Sequence, residues 1–125
     1  IYAALRMRVP GKVPTPFPLL RLVDTLFRVC NRLRINSLVE LIDQTPYLTG
    51  YKPGGAFFAF PDLPPHVDGS DLALRMLKET GVCMVPGDAF GEHCTNAVRI
   101  SFSTTCEKLE EAFDRVIPWM AKQQF

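Results

Sequence analysis

Near the carboxyl end of the chain, Leu109, Ala112, Phe113, Val116, Ile117 and Met120 recur at helical spacing and form one continuous apolar stripe. A helix carrying such a stripe draws most of its stability from packing, so the rest of the chain must supply an apolar surface to cover it. Thr104 and Glu107 stand in the T-x-x-E relation of a capping box, which predicts where the helix starts. Pro118 lies inside the pattern and predicts a kink or an end near Ile117.

Short elements upstream offer that surface. From about Asp24 to Gln44, the residues Leu26, Phe27, Cys30, Leu33, Leu38, Leu41 and Ile42 recur mostly every three or four positions, which predicts a helix closed by Pro46. Its length exceeds the roughly 11 to 12 residues of an average helix and suits a connection between two bodies. Gly54 and Gly55 precede an apolar run closed by Pro61, which predicts a strand of about six residues. Ser70 as N-cap, the pairs Leu72/Met76 and Ala73/Leu77, and Gly81 as the stop predict a short helix. Val82 to Val85 reads as a brief buried strand ended by Pro86 and Gly87, and Asn96 to Ser103 as another.

The order is helix, strand, helix, strand, strand, helix, without an internal repeat. A small sheet of about three strands with helices packed on one face buries these stripes most economically, which makes the expected fold class α+β. The first eighteen residues contain Pro10, Pro14, Pro16 and Pro18, which exclude a long helix there, and residues 1–23 read as a proline-rich linker or a truncated edge. Residues 24–125 are the expected folded body, with 24–45 as an interdomain helix.

With 125 residues, 47% of them hydrophobic and 22% charged, the chain has the size and composition of one soluble globular domain. No run approaches the roughly 18 to 20 apolar residues of a membrane span, and the start lacks the order of a signal peptide. The expected location is the cytoplasm, with no membrane partner. The formal net charge of +1 hides an uneven distribution: residues 1–36 carry seven basic side chains (Arg6, Arg8, Lys12, Arg21, Arg28, Arg32 and Arg34) against Asp24 alone. No aromatic interleaving or nucleic-acid motif accompanies them, so a solvated or partner-facing helix is the better reading and no nucleic-acid partner is expected. Cys30, Cys83, Cys94 and Cys106 form no C-x-x-C pair, and His93 beside Cys94 lacks the spaced ligand pairs of a zinc site. No metal is expected.

In "AVRISFS", residues 97–103, strand alternation turns Val98, Ile100 and Phe102 one way and Ala97, Arg99 and Ser101 the other. Arg99 therefore stands on the face opposite the core. A guanidinium offers a planar fork of donors that matches a carboxylate with two parallel hydrogen bonds, so Arg99 is a candidate anchor for an acid group. Spacing alone favours an arginine that is simply solvated or paired with a nearby acid such as Glu92.

Three segments add a further indication. "LVELIDQTPYLTGYKPGGAF" (38–57), "KPGGAFFAFPDL" (52–63) and "TGVCMVPGDAFGEHCTNAVRISFS" (80–103) together resemble the C-terminal small domain of class I pyridoxal-phosphate-dependent aminotransferases, of the aspartate aminotransferase type. In that family a glycine-aromatic strand, a helix, a GV-x-x-x-PG-x-x-FG segment and an R-I-S-F strand follow in this order. The resemblance covers about residues 34 to 120. It implies the small domain of a fold-type I enzyme that transfers an amino group between an amino acid and a 2-oxo acid, with Arg99 binding the substrate α-carboxylate. It also implies pyridoxal 5'-phosphate as cofactor of the parent enzyme, a homodimer, and a large domain that would precede this segment. Gly55 and the Phe57–Phe60 strand would lie near the domain interface, and Phe90-Gly91 near the active-site mouth.

Two departures qualify the resemblance. Where family members often carry two adjacent arginines before an aspartate, this chain has Arg34-Ile35-Asn36. Transamination also needs a Schiff-base lysine, and Lys12, Lys52, Lys78, Lys108 and Lys122 all lie outside the family's serine-x-x-lysine setting. This chain alone is thus expected to be inactive and to bind no cofactor, as a fragment of a larger transaminase. The alternative is a non-catalytic α+β module that binds a carboxylate metabolite or a protein partner.

Overall fold

A computed structural model describes residues 18–125 of the chain. The expected linker prolines Pro10, Pro14 and Pro16, and the basic residues Arg6, Arg8 and Lys12, lie outside the described residues. Four segments of regular structure lead to the sheet: helix α1 (Pro18–Gln44), strand β1 (Phe58–Ala59), helix α2 (Gly69–Thr80) and strand β2 (Val85–Pro86). A 3₁₀ turn (Gly87–Phe90), strand β3 (Val98–Ser101) and helix α3 (Cys106–Met120) complete the order.

The chain divides into two units, residues 1–30 and 31–125. In the first, the described part is the amino-terminal portion of α1, where Arg28 pairs with Asp24 at 3.0 Å and the Thr25 hydroxyl donates to the Arg21 carbonyl at 2.8 Å. Leu20, Leu22, Val23, Leu26 and Val29 are exposed there.

The second unit holds the core. Its sheet has the order β1-β3-β2, antiparallel throughout, with Phe58 opposite Ser101, Ala59 opposite Ile100 and Val85 opposite Arg99. Ala59, Val98, Ile100 and Phe102 turn inward. Ile35, Leu38 and Ile42 of α1, Leu72 and Met76 of α2, and Leu109, Phe113, Val116 and Met120 of α3 pack with them into one buried cluster. The α+β arrangement expected from the pattern is the one present, and the stripe on α3 is buried as its spacing requires.

Several expectations need correction. Helix α1 begins at Pro18, six residues inside the expected linker, because a proline at the first helical position needs no N–H partner. The buried face of α1 is Ile35, Leu38 and Ile42, whereas Leu26, Phe27, Cys30 and Leu33 are exposed. Helical spacing fixes which residues share a face, not whether anything covers it. In α2, Leu77 is exposed because it falls roughly a quarter turn from the centre of the Leu72/Ala73/Met76 stripe. Its N-cap is Asp68, not Ser70: Asp68 Oδ1 accepts from the backbone N–H of Ser70 at 2.7 Å and of Asp71 at 3.1 Å. Gly81, at φ 73°, is the left-handed stop that the pattern required.

The strands are shorter than their apolar runs. Ala56 adopts φ 61°, which breaks the extended run, so pairing with β3 begins only at Phe58. β2 is confined to Val85–Pro86 and β3 to Val98–Ser101, although Phe102 N–H still donates to the Phe57 carbonyl at 2.9 Å. Helix α3 continues to Met120 instead of ending near Ile117. Pro118 forgoes the bond to the carbonyl of Asp114, an exposed residue within reach of water, while buried Trp119 and Met120 hold the last turn down and Trp119 Nε1 donates to Glu79 at 2.7 Å.

The cap of α3 is Thr105, one residue later than the capping box placed it, and its hydroxyl accepts from the Lys108 N–H at 3.4 Å. Hydrogen bonds from its own backbone and from Thr105 hold the exposed Glu107 carboxyl below its ordinary value. A depressed carboxyl supports the helix above its ordinary pKa, and that support is lost as the pH falls through the lowered value. Thr105→Ala is expected to cost about 1 kcal/mol in thermal or denaturant unfolding, and Thr104→Ala much less. The reverse order would restore the cap to Thr104.

Candidate functional site

Strand β3 positions the candidate residue. Val98 and Ile100, on either side of Arg99, are buried, and this fixes the strand's register so that Arg99 emerges from the opposite face. Phe58 lies across from Ser101 and therefore on the same face as Arg99. Continuing that register by one residue brings Phe60 opposite Arg99.

The Arg99 guanidinium carbon lies 4.5 Å from the ring centre of Phe58 and 4.5 Å from that of Phe90. Phe90 meets Phe60 edge to face, with centres 5.5 Å apart. Arg99 itself is half-buried, and its Nε is buried without a hydrogen-bond partner. The ion pairs among the described residues join Arg28 to Asp24, Arg75 to Asp71 and Arg115 to Glu111, and none involves Arg99. The pairing with Glu92 that the spacing allowed is not formed.

Phe90 reaches the guanidinium because the 3₁₀ turn that carries it is fixed at its first two residues. At its start, Gly87 N–H donates to the Ala97 carbonyl at 2.8 Å, and a Cβ at this position would lie 2.1 Å from the Cys94 carbonyl oxygen. Only glycine fits so close an approach of two backbones. One residue on, Asp88 accepts a hydrogen bond from Ser70 Oγ at 2.7 Å, which ties the turn to the start of α2.

The chemistry follows from these contacts. Guanidinium is weakly hydrated and accepts aromatic rings against its plane while its N–H groups stay in plane. With Nε enclosed and no ion pair to Arg99 among the described residues, the two terminal nitrogens offer a fork suited to a planar anion with two oxygens. Among the described residues no group of three or more His, Cys, Asp or Glu is placed to hold a metal, and no helix is long and apolar enough to cross a membrane.

Arg99 was legible from alternation. Alternation puts Phe58 and Phe60 on one face of their own strand, and the pairing of Phe58 with Ser101 makes that the face of Arg99. The approach of Phe90 depends on how a turn folds back over the sheet, which no local pattern encodes.

Against this geometry the comparisons with known proteins are specific. Residues 32–116 match the family described as aminotransferase class I and II, and the chain belongs to that family. The aromatic-amino-acid aminotransferase 2 of Thermococcus litoralis is 46% identical over 66 residues, covering 52% of this chain and 17% of that protein. An asparagine--oxo-acid transaminase of Streptococcus mutans is 33% identical over 95 residues, covering 71% of this chain and 24% of that protein. The crystal structure of an aromatic aminotransferase from Pyrococcus horikoshii superposes with a TM-score of 0.74 at 33% identity, covering 82% of this chain and 27% of that one. The chain thus spans about a quarter or less of the length of these relatives.

Proposed function

We propose that residues 24–125 are the C-terminal small domain of a pyridoxal-phosphate-dependent aminotransferase, with the part of α1 from residue 24 onward as its interdomain helix. The intact enzyme moves an amino group between an amino acid and a 2-oxo acid, and Arg99 binds the substrate α-carboxylate. The observation that carries this reading is the guanidinium fork, held over two rings on the sheet face opposite the core and without an ion pair among the described residues. Fixing the acid group there places the neighbouring amine at a set distance and direction, which converts a diffusive encounter into an oriented one.

The family implies pyridoxal 5'-phosphate in the parent enzyme, but the residues described in this chain do not fit that group. Lys52 donates to Asn36 Oδ1 at 2.7 Å, and Lys78, Lys108 and Lys122 are exposed, the first two on helices that pack against the other side of the sheet from Arg99. We therefore assign the cofactor's lysine and phosphate-binding groups to a large domain that precedes these residues. A homodimer and a cytoplasmic location belong to the same proposal and rest on the family alone.

The test compares each accepted amino acid with the amine left by removing its carboxylate, using the intact protein that carries these residues and a 2-oxo acid acceptor. Amino transfer from the decarboxylated amine is expected to be slower by roughly a hundredfold or more in kcat/KM, the scale of a lost charge-assisted bidentate contact. Equal rates for the two would remove the proposed role of Arg99.

A further inference from the structure

We propose that Phe58 and Phe90 are positioning residues that determine which edge of the Arg99 guanidinium meets the substrate acid group. This rests on the carboxylate-binding role proposed for Arg99 and extends it to two side chains outside that role. Both rings lie 4.5 Å from the guanidinium carbon, and both are about half exposed, at 46% and 47%. Rings this open contribute little to the core, whose buried cluster includes neither of them.

A long arginine side chain ordinarily samples many rotamers, and ordering it on binding opposes association. Aromatic faces against the guanidinium order it beforehand. They also dictate direction, because an arginine can offer a carboxylate either its two terminal nitrogens or one terminal nitrogen with Nε. Here Nε is buried and unpartnered, so the side edge is closed and the terminal edge remains. The rings themselves are fixed from the backbone. Phe58 is paired in register with Ser101, and Phe90 rides on the turn tied by the Gly87–Ala97 and Ser70–Asp88 hydrogen bonds. The edge contact from Phe60 further restrains the Phe90 ring.

Leucine in place of either ring keeps apolar bulk and removes the aromatic face, so the test uses Phe58→Leu and Phe90→Leu in the intact protein, alone and combined with Arg99→Ala. Each single change is expected to raise KM for the preferred amino acid about three- to tenfold while kcat stays within about twofold, given the size of a partly desolvated cation–π contact. Inhibition by propionate should weaken by the same factor, and any inhibition by propionamide, which lacks the charge, should not change. In the Arg99→Ala background neither leucine should have a further effect on KM, because the rings act through Arg99. The proposal fails if the leucine variants leave KM and propionate inhibition unchanged while Arg99→Ala raises KM and weakens that inhibition, an outcome that leaves the role of Arg99 standing. It also fails if the leucine effects persist undiminished without Arg99. Should Arg99→Ala itself change neither quantity, the carboxylate role and this inference fall together.

Discussion

Replacing Arg99 by alanine in the intact enzyme is expected to lower kcat/KM for the amino acid by roughly a hundred- to a thousandfold, with the larger part in KM. The magnitude is that of truncating one partner of a hydrogen-bonded charge pair, about 3 to 4 kcal/mol, which combines loss of the bidentate contact proposed for Arg99 with a substrate carboxylate left unpaired. Arg99→Lys is expected to recover only part of that loss. The ammonium keeps the charge but offers a compact point donor where the site presents a planar fork. Neither change should unfold the domain, because Arg99 makes no ion pair among the described residues and stands on the face opposite the core. The two ring contacts are worth on the order of 1 to 2 kcal/mol in total, too little to unfold the domain when lost. Steady-state kinetics with the amino acid, beside the melting temperature of each variant, separates binding from folding. An alanine variant with native KM and native substrate preference would show that the acid group is gripped elsewhere.

What the sequence made legible follows a physical division. Period-2 alternation around Val98, Ile100 and Phe102 was enough to place Arg99 on the outer face, because a strand with one buried side has little freedom of register. The same holds for α3, where Leu109, Phe113, Val116 and Met120 leave one choice of buried face. Features decided by non-local contacts were not legible. Whether Leu26 and Leu33 are covered depends on what lies opposite them, and the early end of the strand before Phe58 depends on a positive φ at Ala56, a residue whose identity gives no warning of it. The caps were misplaced by one or two residues because Thr104 and Ser70 are as good chemically as Thr105 and Asp68. Only the entry path of the chain selects between them. The aromatic setting of Arg99 lies with the second group: Phe58 shares its face only through the pairing with Ser101, and Phe90 arrives from a turn whose position requires the tertiary fold.

Phe102 provides the complementary experiment on the other face of the sheet. Its ring is fully buried, and its N–H donates to the Phe57 carbonyl at 2.9 Å, so it both fills the core and extends the pairing of β3 with the segment that carries Phe58. Phe102→Ala removes the ring and leaves a cavity that the surrounding helices only partly close, at an expected cost of about 3 to 5 kcal/mol. That is a large share of the roughly 5 to 15 kcal/mol that stabilises a typical domain. Native-state hydrogen exchange in the intact protein reads the loss locally, without requiring the domain to unfold alone. Protection of the amides at positions 98 and 102 should fall by roughly 150-fold to several thousandfold. Phe58→Leu, on the exposed face, should leave that protection nearly unchanged while raising KM. If Phe102→Ala left both amides as protected as before, the core would not be organised around β3, and the register that aims Arg99 outward would lose its physical basis.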